Sequence, residues 1–90
     1  MEIRITLEAI KILNAIHRDG PVSGADVLRS TSILTGTGYP LMRRLEGVGY
    51  LAGEWEEGDP SVLGRPRCRY YVITEAGRMA AEAVLVGLGV

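Results

Sequence analysis

The sequence contains a single cysteine and a single histidine among its 90 residues. One cysteine excludes an internal disulfide and is too few for a zinc site, which makes a reducing cytoplasm the expected compartment. One histidine leaves little material for acid–base catalysis, and no serine–histidine–aspartate, paired-carboxylate or metal-ligand spacing is present. We therefore expect a protein that is not an enzyme and that binds no metal or cofactor.

Long apolar runs are also absent. No stretch reaches the roughly 18–20 apolar residues that are needed to span a bilayer, and the acidic start Met1-Glu2 is not typical of a signal peptide. A chain of 90 residues with 47% hydrophobic content predicts one globular domain over residues 1–90. We expect no membrane partner.

The formal net charge is −1, which is unusual for a protein that binds nucleic acid. The charges are unevenly distributed, however, since four of the eleven acidic side chains lie within residues 54–59. Arg65, Arg67 and Arg69 alternate with no anion between them. Alternate residues of a strand point to the same side, so these arginines could face a phosphate backbone. The other reading is a charged edge that prevents aggregation.

Two amphipathic helices are predicted near the start of the chain. The first covers residues 7–18, with Thr6 as its N-cap. The second covers about residues 24–31 and begins with Ser23 and Asp26, which have the spacing of a capping box.

A third helix is predicted to end near Val48. Its start is constrained by Pro40, because proline fits best in the first turn, where no backbone donor is needed. We expect the first turn to fall between Thr35 and Tyr39. A cap at Thr37 would make Pro40 the third helical residue.

A hairpin and a last helix complete the predicted order. A strand over residues 51–56 is expected to place Trp55 inward, and after a long loop a return strand over about residues 67–73 directs Tyr71 toward the core. A C-terminal helix is expected over residues 74–88. Three helices, a two-stranded β-hairpin wing and a C-terminal helix are typical of the winged helix-turn-helix, an α+β fold that is mostly α. Its third helix normally enters the major groove of DNA.

Two stretches of the sequence resemble the PadR-type transcriptional regulators. In that family a Gly-Thr-x-Tyr-Pro stretch precedes Arg-Leu-Glu in the recognition helix, and residues 36–40 and 44–46 follow this pattern. Residues 64–67, Gly-Arg-Pro-Arg, are followed by the pair Tyr70-Tyr71 and by Thr-Glu-Ala-Gly-Arg, which is similar to the family's wing and final helix cap. The resemblance extends over about residues 7–79.

The resemblance implies a homodimeric repressor that reads a palindromic operator in double-stranded DNA with its third helix. The wing would contact the flanking minor groove or phosphates. The residues expected to contact DNA lie in these two elements: Thr37, Gly38, Tyr39, Arg43, Arg44, Arg65, Arg67 and Arg69.

Individual roles within the third helix follow from its pattern. Arg43 is expected at a base edge, while Arg44 would contact a phosphate or form an ion pair. Tyr39 would either donate its hydroxyl to a phosphate or only pack on the helix. Thr37 and Gly38 would offer a helix N-terminus to a phosphate or serve as a simple cap.

The sequence departs from the family's pattern at several places, which include Cys68 among the wing arginines and Val72 at a position that is often polar. Gly38 replaces a bulky apolar residue, and we expect it to loosen the first turn of the third helix. The chain ends at Val90 without the long C-terminal helical extension that many relatives use for dimerisation and ligand capture. The resemblance therefore predicts a short form and argues against a small-molecule effector pocket.

The apolar residues of the last helix cover more than the one stripe that a monomer core requires. They form either a dimer seam or an apolar tail that folds onto its own domain. The residues expected to contribute to dimerisation are Met79, Ala83, Val84, Val86 and Leu88.

Two other functions remain open on the sequence. The small size is compatible with an architectural or recombination-accessory DNA-binding protein of phage or plasmid type. The sequence pI of about 5.8 and the anionic residues 54–59 would also suit a winged-helix module that binds other proteins.

Overall fold

The computed structural model describes the backbone of residues 6–87 and the side chains of residues 6–84. The described part consists of helices and short strands in the order α1 (Leu7–Asp19), β1 (Val22–Ser23), α2 (Gly24–Thr31), α3 (Thr35–Gly47), β2 (Leu51–Trp55), α4 (Pro60–Leu63), β3 (Arg69–Ile73) and α5 (Glu75–Gly87). None of the described helices has the length and apolar content that crossing a membrane requires.

The first two helices begin where their capping residues predict. The hydroxyl of Thr6 accepts a hydrogen bond from the Ala9 backbone N–H at 3.2 Å. The hydroxyl of Ser23 accepts one from the Asp26 N–H, also at 3.2 Å. Each cap satisfies a donor that has no partner inside its helix. The two predictions for these helix starts are confirmed.

The first turn of α3 falls between Thr35 and Tyr39, as predicted, but the expectation that Pro40 belongs to this turn is wrong. Thr35 is the first helical residue and Leu34 is the N-cap, so Pro40 lies in the second turn rather than in the first. The Leu34 carbonyl accepts hydrogen bonds from the N–H groups of Thr37 and Gly38 at 3.0 and 2.8 Å. Pro40 supplies no donor for the Gly36 carbonyl, but Gly36 is exposed, and water can bind there instead.

Gly38 does not loosen this turn, contrary to the expectation from the sequence. The residue is buried, and a Cβ atom there would lie 2.2 Å from Cδ2 of Leu28. The missing side chain is thus replaced by a leucine from α2, which allows the two helices to pack closely. On the same side of α3, Leu41, Met42 and Leu45 extend the core.

The sheet has three antiparallel strands in the order β1-β3-β2, not the two that the sequence predicts. The additional strand, β1, pairs Val22 with Tyr71 and Ser23 with Tyr70. It is two residues long and lies between two helices, so it is too short to show an alternating pattern. The prediction that Tyr71 faces the core is confirmed, and Tyr70 lies on the opposite, solvent-exposed face.

Trp55 was expected in the core, and this prediction is wrong, since 62% of the residue is exposed. It shares a face of β2 with Leu51, which is only 2% exposed, so the predicted alternation holds. However, β2 extends beyond the helices that cover the start of the strand. Its last residue pairs with Arg69 and faces an open groove.

The predicted loop between the strands contains a short helix, α4. The carboxylate of Asp59 accepts a hydrogen bond from the Ser61 N–H at 2.9 Å, and Pro60 occupies the first helical position. Asp-Pro is a known helix-start pattern that could have been read from the sequence. We call residues 51–73, which comprise β2, α4, β3 and their connections, the wing.

The start of α5 is attached to the turn that follows α3. The Thr74 hydroxyl accepts a hydrogen bond from the Gly77 N–H at 3.0 Å and lies 2.5 Å from the Gly49 carbonyl, to which it donates. A Cβ atom on Gly77 would lie 2.1 Å from the Tyr50 carbonyl oxygen. This close backbone contact gives a physical reason for the Thr-x-x-Gly pattern at the helix start.

Candidate nucleic-acid interface

An open groove of about 790 Å³ lies between α3 and the wing. The N-terminal end of α2 contributes to it as well. Most of the arginines and aromatic residues singled out above border this groove, whose lining consists of Ser23, Gly24, Ala25, Tyr39, Arg43, Glu46, Gly47, Trp55, Pro66, Arg67, Cys68, Arg69 and Tyr71.

The outer side of α3 forms one wall of the groove. Tyr39, Arg43 and Gly47 follow one another at a spacing of four residues and are all exposed. Arg44 is also exposed and lies beside them. Among the described residues, no carboxylate forms an ion pair with Arg43 or Arg44. Both guanidinium groups can therefore bind a ligand without first leaving a protein partner.

The N-terminus of α3 presents different backbone donors from those predicted. The N–H groups of Thr37 and Gly38 already donate to the Leu34 carbonyl, and Gly38 is buried. The first two helical residues, Thr35 and Gly36, are exposed, and no side chain caps this end of the helix. An anion at the helix N-terminus would meet the N–H groups of Thr35 and Gly36.

Arg65 is paired within the wing. Its Nη1 and Nη2 atoms donate to the Oε1 and Oε2 atoms of Glu56 at 2.6 and 2.8 Å, which is a bidentate pair. Glu56 also accepts a hydrogen bond from the Cys68 N–H at 3.2 Å. The Arg65 guanidinium, and secondarily the Cys68 N–H, lower the pKa of the Glu56 carboxyl to about 2. This pair joins the two sides of the wing beyond the last ladder pair of the sheet.

Arg69 is paired with the recognition helix. Its Nε atom lies 3.4 Å from Oε1 of Glu46, and Nη2 donates to Oε2 of the same carboxylate. The guanidinium carbon also lies 5.1 Å from the centre of the Trp55 ring and 5.9 Å from that of Tyr71. Two of the three nitrogen atoms of this guanidinium therefore already donate to a carboxylate of the same chain.

The alternation argument predicted that the three wing arginines point in one direction, and this prediction is wrong. β3 begins at Arg69, so residues 65–68 lie outside the ladder and do not follow its alternation. Arg65 and Arg69 bind carboxylates in two different elements. Arg67 is exposed and borders the groove, and no ion pair joins it to a carboxylate within the described part of the chain.

Four of the five residues predicted for dimerisation belong to α5, and the side chains of three of them are described. Met79 is 59% exposed, Ala83 is exposed and Val84 is half-buried. The side chain of Val86 and the whole of Leu88 lie outside the described residues.

Sequence reasoning missed Thr35, Gly36 and Trp55 as members of this surface. A signal existed for Trp55, because Gly53 and a run of acidic residues follow Leu51 and mark a strand that leaves the core. For Thr35 and Gly36 the signal was the predicted first turn between Thr35 and Tyr39, but the preference of proline for that turn favoured Thr37 as the cap.

The sequence matches the transcriptional regulator PadR-like family over residues 12–83. A search of curated proteins finds no match.

Solved structures show the same fold. The chain is similar to a PadR-like transcription factor from Bacteroides fragilis, with a TM-score of 0.77 and 25% identity over 92% of this chain and 80% of that one. It is similar to a PadR family transcriptional regulator from Eggerthella lenta DSM 2243, with a TM-score of 0.75 and 29% identity over 89% and 70%. For smu.1704 from Streptococcus mutans UA159 the TM-score is 0.73, with 24% identity over 99% and 84%.

Proposed function

Because the chain belongs to the PadR-like family of transcriptional regulators, we propose that this winged-helix, DNA-binding regulator holds its duplex with α3 and the wing. In this arrangement α3 enters the major groove, which is about 12 Å wide and admits an α-helix. The wing follows the flanking backbone. Occupation of the operator blocks transcription, so the protein acts as a repressor.

The observation that carries this proposal is the exposed side of α3. Tyr39 and Arg43 project from it beside an open groove, and Arg43 and Arg44 have no ion-pair partner in the described part of the chain. Arg43 reads a base edge, since its fork fits the two acceptors of guanine. Arg44 and the Tyr39 hydroxyl contact phosphates, which fixes the register of the helix on the duplex.

The other contacts with the backbone come from the α3 N-terminus and from the wing. Thr35 and Gly36 are exposed, and their N–H groups bind a phosphate, supported by the helix dipole. Thr37 is exposed as well, and its hydroxyl contacts the same backbone. Arg67 is the wing arginine that contacts a phosphate. Trp55 packs against the adjoining sugar, since its ring is exposed in the same groove.

The active species is a homodimer formed through α5. Met79 and Ala83 are exposed on this helix and Val84 is half-buried, so a second copy can cover them. A two-fold dimer presents two copies of α3 and therefore reads a palindromic site.

Selection of bound sequences from a random duplex library tests these points together. We expect one enriched site with two inverted half-sites about one helical turn apart. Binding to that site should fall by about 10³–10⁵ between 50 and 200 mM salt if 6–10 phosphates are contacted. Failure to bind any duplex at low salt would contradict DNA recognition by this surface.

The selection, together with bending, promoter and protein-partner assays, separates the other functions. An enriched site without symmetry would contradict the homodimer. Strong bending of the bound fragment with no effect on a neighbouring promoter would identify an architectural protein. A stable protein partner in the absence of any duplex binding would identify an interaction module.

A further inference from the structure

Arg69 forms a charged bridge between the wing and the recognition helix. It lies on β3 and binds Glu46 on α3 through two of its nitrogen atoms, and its guanidinium lies over the rings of Trp55 and Tyr71. The sequence places this arginine among the DNA contacts. In the folded protein its hydrogen bonds are made to another part of the same chain.

Neighbouring residues of the sheet determine the path of the Arg69 side chain. Arg69 pairs with Trp55 across the ladder, and Tyr71 pairs with Gly53. A Cβ atom on Gly53 would lie 2.7 Å from Nε of Arg69, so the side chain passes over the space that this glycine leaves free. The two rings flank the guanidinium, and the carboxylate of Glu46 meets its end. Each of these residues limits the positions that the guanidinium can take.

The environment of the pair makes it stronger than an ordinary surface ion pair. The Arg69 and Glu46 side chains are 25% and 29% exposed, so water and salt screen them less than freely exposed charges. Cation–π contacts with two rings add to the bidentate carboxylate contact.

The wing needs such a contact because it has little apolar support. Within residues 54–70, all of which the structure describes, no residue is buried. The hydrophobic core ends at the base of the sheet with Leu51 and Tyr71. Beyond this point, the angle between the wing and α3 depends on polar contacts, and among the described ion pairs only Arg69–Glu46 joins the wing to α3.

We infer that Arg69 is a positioning residue that, with Glu46, sets the angle between the wing and α3. It acts as a strut and does not contact DNA. The inference rests on the proposed function, because the angle matters when both elements engage one duplex. The strut holds the wing so that Arg67 reaches a phosphate while α3 is in the major groove.

Another role for Glu46 would give the opposite result on mutation. If Glu46 only masked an arginine that DNA later captures, the change Glu46→Ala would free Arg69 and raise the affinity for duplex. If Glu46 holds the strut, the same change lowers the affinity, even though it removes a negative charge near the phosphates. The sign of the change therefore distinguishes a strut from a mask.

The experiment compares Glu46→Ala, Arg69→Met and the double variant with a matched control, Glu75→Ala. Glu75 forms an ion pair with Arg78 on α5 and does not line the groove. Duplex affinity is measured by fluorescence anisotropy at several salt concentrations. We expect each single variant to lose about tenfold in affinity and the double variant to lose no more than either, because the two residues act as one unit. The salt slope, which is the change in log affinity with log salt concentration, should change equally in Glu46→Ala and Arg69→Met, since both variants release the wing and with it the Arg67 phosphate contact.

A second measurement needs no DNA. Trp55 is the only tryptophan in the chain, and the Arg69 guanidinium lies over its ring. We expect the Trp55 emission of both single variants to change in the same direction and that of Glu75→Ala to stay as in the wild type. This readout tests the strut in the free protein, so it remains informative if no duplex is bound and the proposed function fails.

Several results would overturn the inference. They are a rise in affinity for Glu46→Ala, a salt slope reduced by about one unit in Arg69→Met but unchanged in Glu46→Ala, or an unchanged Trp55 emission in both variants. Circular dichroism checks that each variant is folded. If Glu46→Ala is not folded, Glu46→Gln, which keeps an acceptor oxygen, should show a smaller loss of affinity, and a gain would again overturn the strut.

Discussion

The recognition helix and the wing border the same groove but are held in place by different forces. On α3 the side chains of Met42 and Leu45 are fully buried, and the guanidinium groups of Arg43 and Arg44 have no ion-pair partner in the described chain. In the wing no residue from 54 to 70 is buried. Two of its three arginines, Arg65 and Arg69, form ion pairs with carboxylates of the same chain. An arginine is thus available to a ligand where apolar packing already supports the backbone. Counting arginines overestimates the contacts that a weakly packed segment can make.

The largest expected effect tests whether close packing against α2 holds α3 in place. Changing Gly38 to Ala forces a Cβ against buried Leu28, and overpacking of this kind costs about 1–3 kcal/mol in the free energy of unfolding. Gly36→Ala is the matched control, because nothing lies within 4 Å of a Cβ at that position. It should be neutral or stabilise by up to about 1 kcal/mol. Urea unfolding followed by circular dichroism measures both changes. Equal stabilities of the two variants would refute close α2–α3 packing.

The next effect tests whether the unpaired arginines of α3 read sequence. Replacing Arg43 by Ala should reduce discrimination between the selected site and a scrambled duplex by about 1–3 kcal/mol, because a bidentate base contact is lost. Anisotropy titrations with the two duplexes give the difference. Arg18→Ala is the control, since Arg18 is exposed at the end of α1 and paired with Asp19. If Arg43→Ala weakens both duplexes equally, Arg43 contacts the backbone instead.

A smaller effect separates the free wing arginine from a paired one. The change Arg67→Ala should weaken binding to all duplexes alike and reduce the salt slope by about one unit, because one phosphate contact is lost. In Arg65→Ala the slope should stay as in the wild type, since this guanidinium is bound to Glu56. Titrations over a range of salt concentrations measure the salt slopes of both variants. A reduced slope in Arg65→Ala would mean that the Glu56 pair opens on DNA.

The smallest expected effect concerns the wing's own ion pair and its dependence on pH. The Arg65 guanidinium lowers the folded-state pKa of the Glu56 carboxyl from its ordinary value of about 4.5 to about 2. A lowered pKa means that the unfolded state binds the proton more readily, so stability is lost as the pH falls from about 4.5 toward 2. Replacing Glu56 by Gln should flatten the change in melting temperature over this range. The same pH dependence in Glu56→Gln as in the wild type would show that the pair contributes nothing to folding.

Local signals explain which parts of the fold could be predicted. Thr6, Ser23 and Thr74 each sit three residues before the N–H that they cap, so the helix starts could be read from neighbours in sequence. The order of elements and the alternation in β3 are also local. The exposure of Trp55 depends instead on where the covering helices end, which no window around the residue records.

The site was harder to predict because its ion pairs join residues that are far apart in the sequence. Glu56 lies nine residues before Arg65, and Glu46 lies 23 residues before Arg69. Neither separation belongs to a regular helix or strand period. The sequence could identify α3 and its exposed arginines, since residues on one face of a helix recur at a fixed spacing. It could not show which wing arginines the fold itself would occupy.

The contact between Gly77 and the Tyr50 carbonyl has a mechanical consequence. A side chain between two segments can change rotamer and absorb a small displacement, but here the first turn of α5 rests on the backbone that follows α3. The hydrogen bond from Thr74 to the Gly49 carbonyl ties the same two segments a second time. We therefore expect a tilt at the beginning of α5 to displace the end of α3 in the same direction.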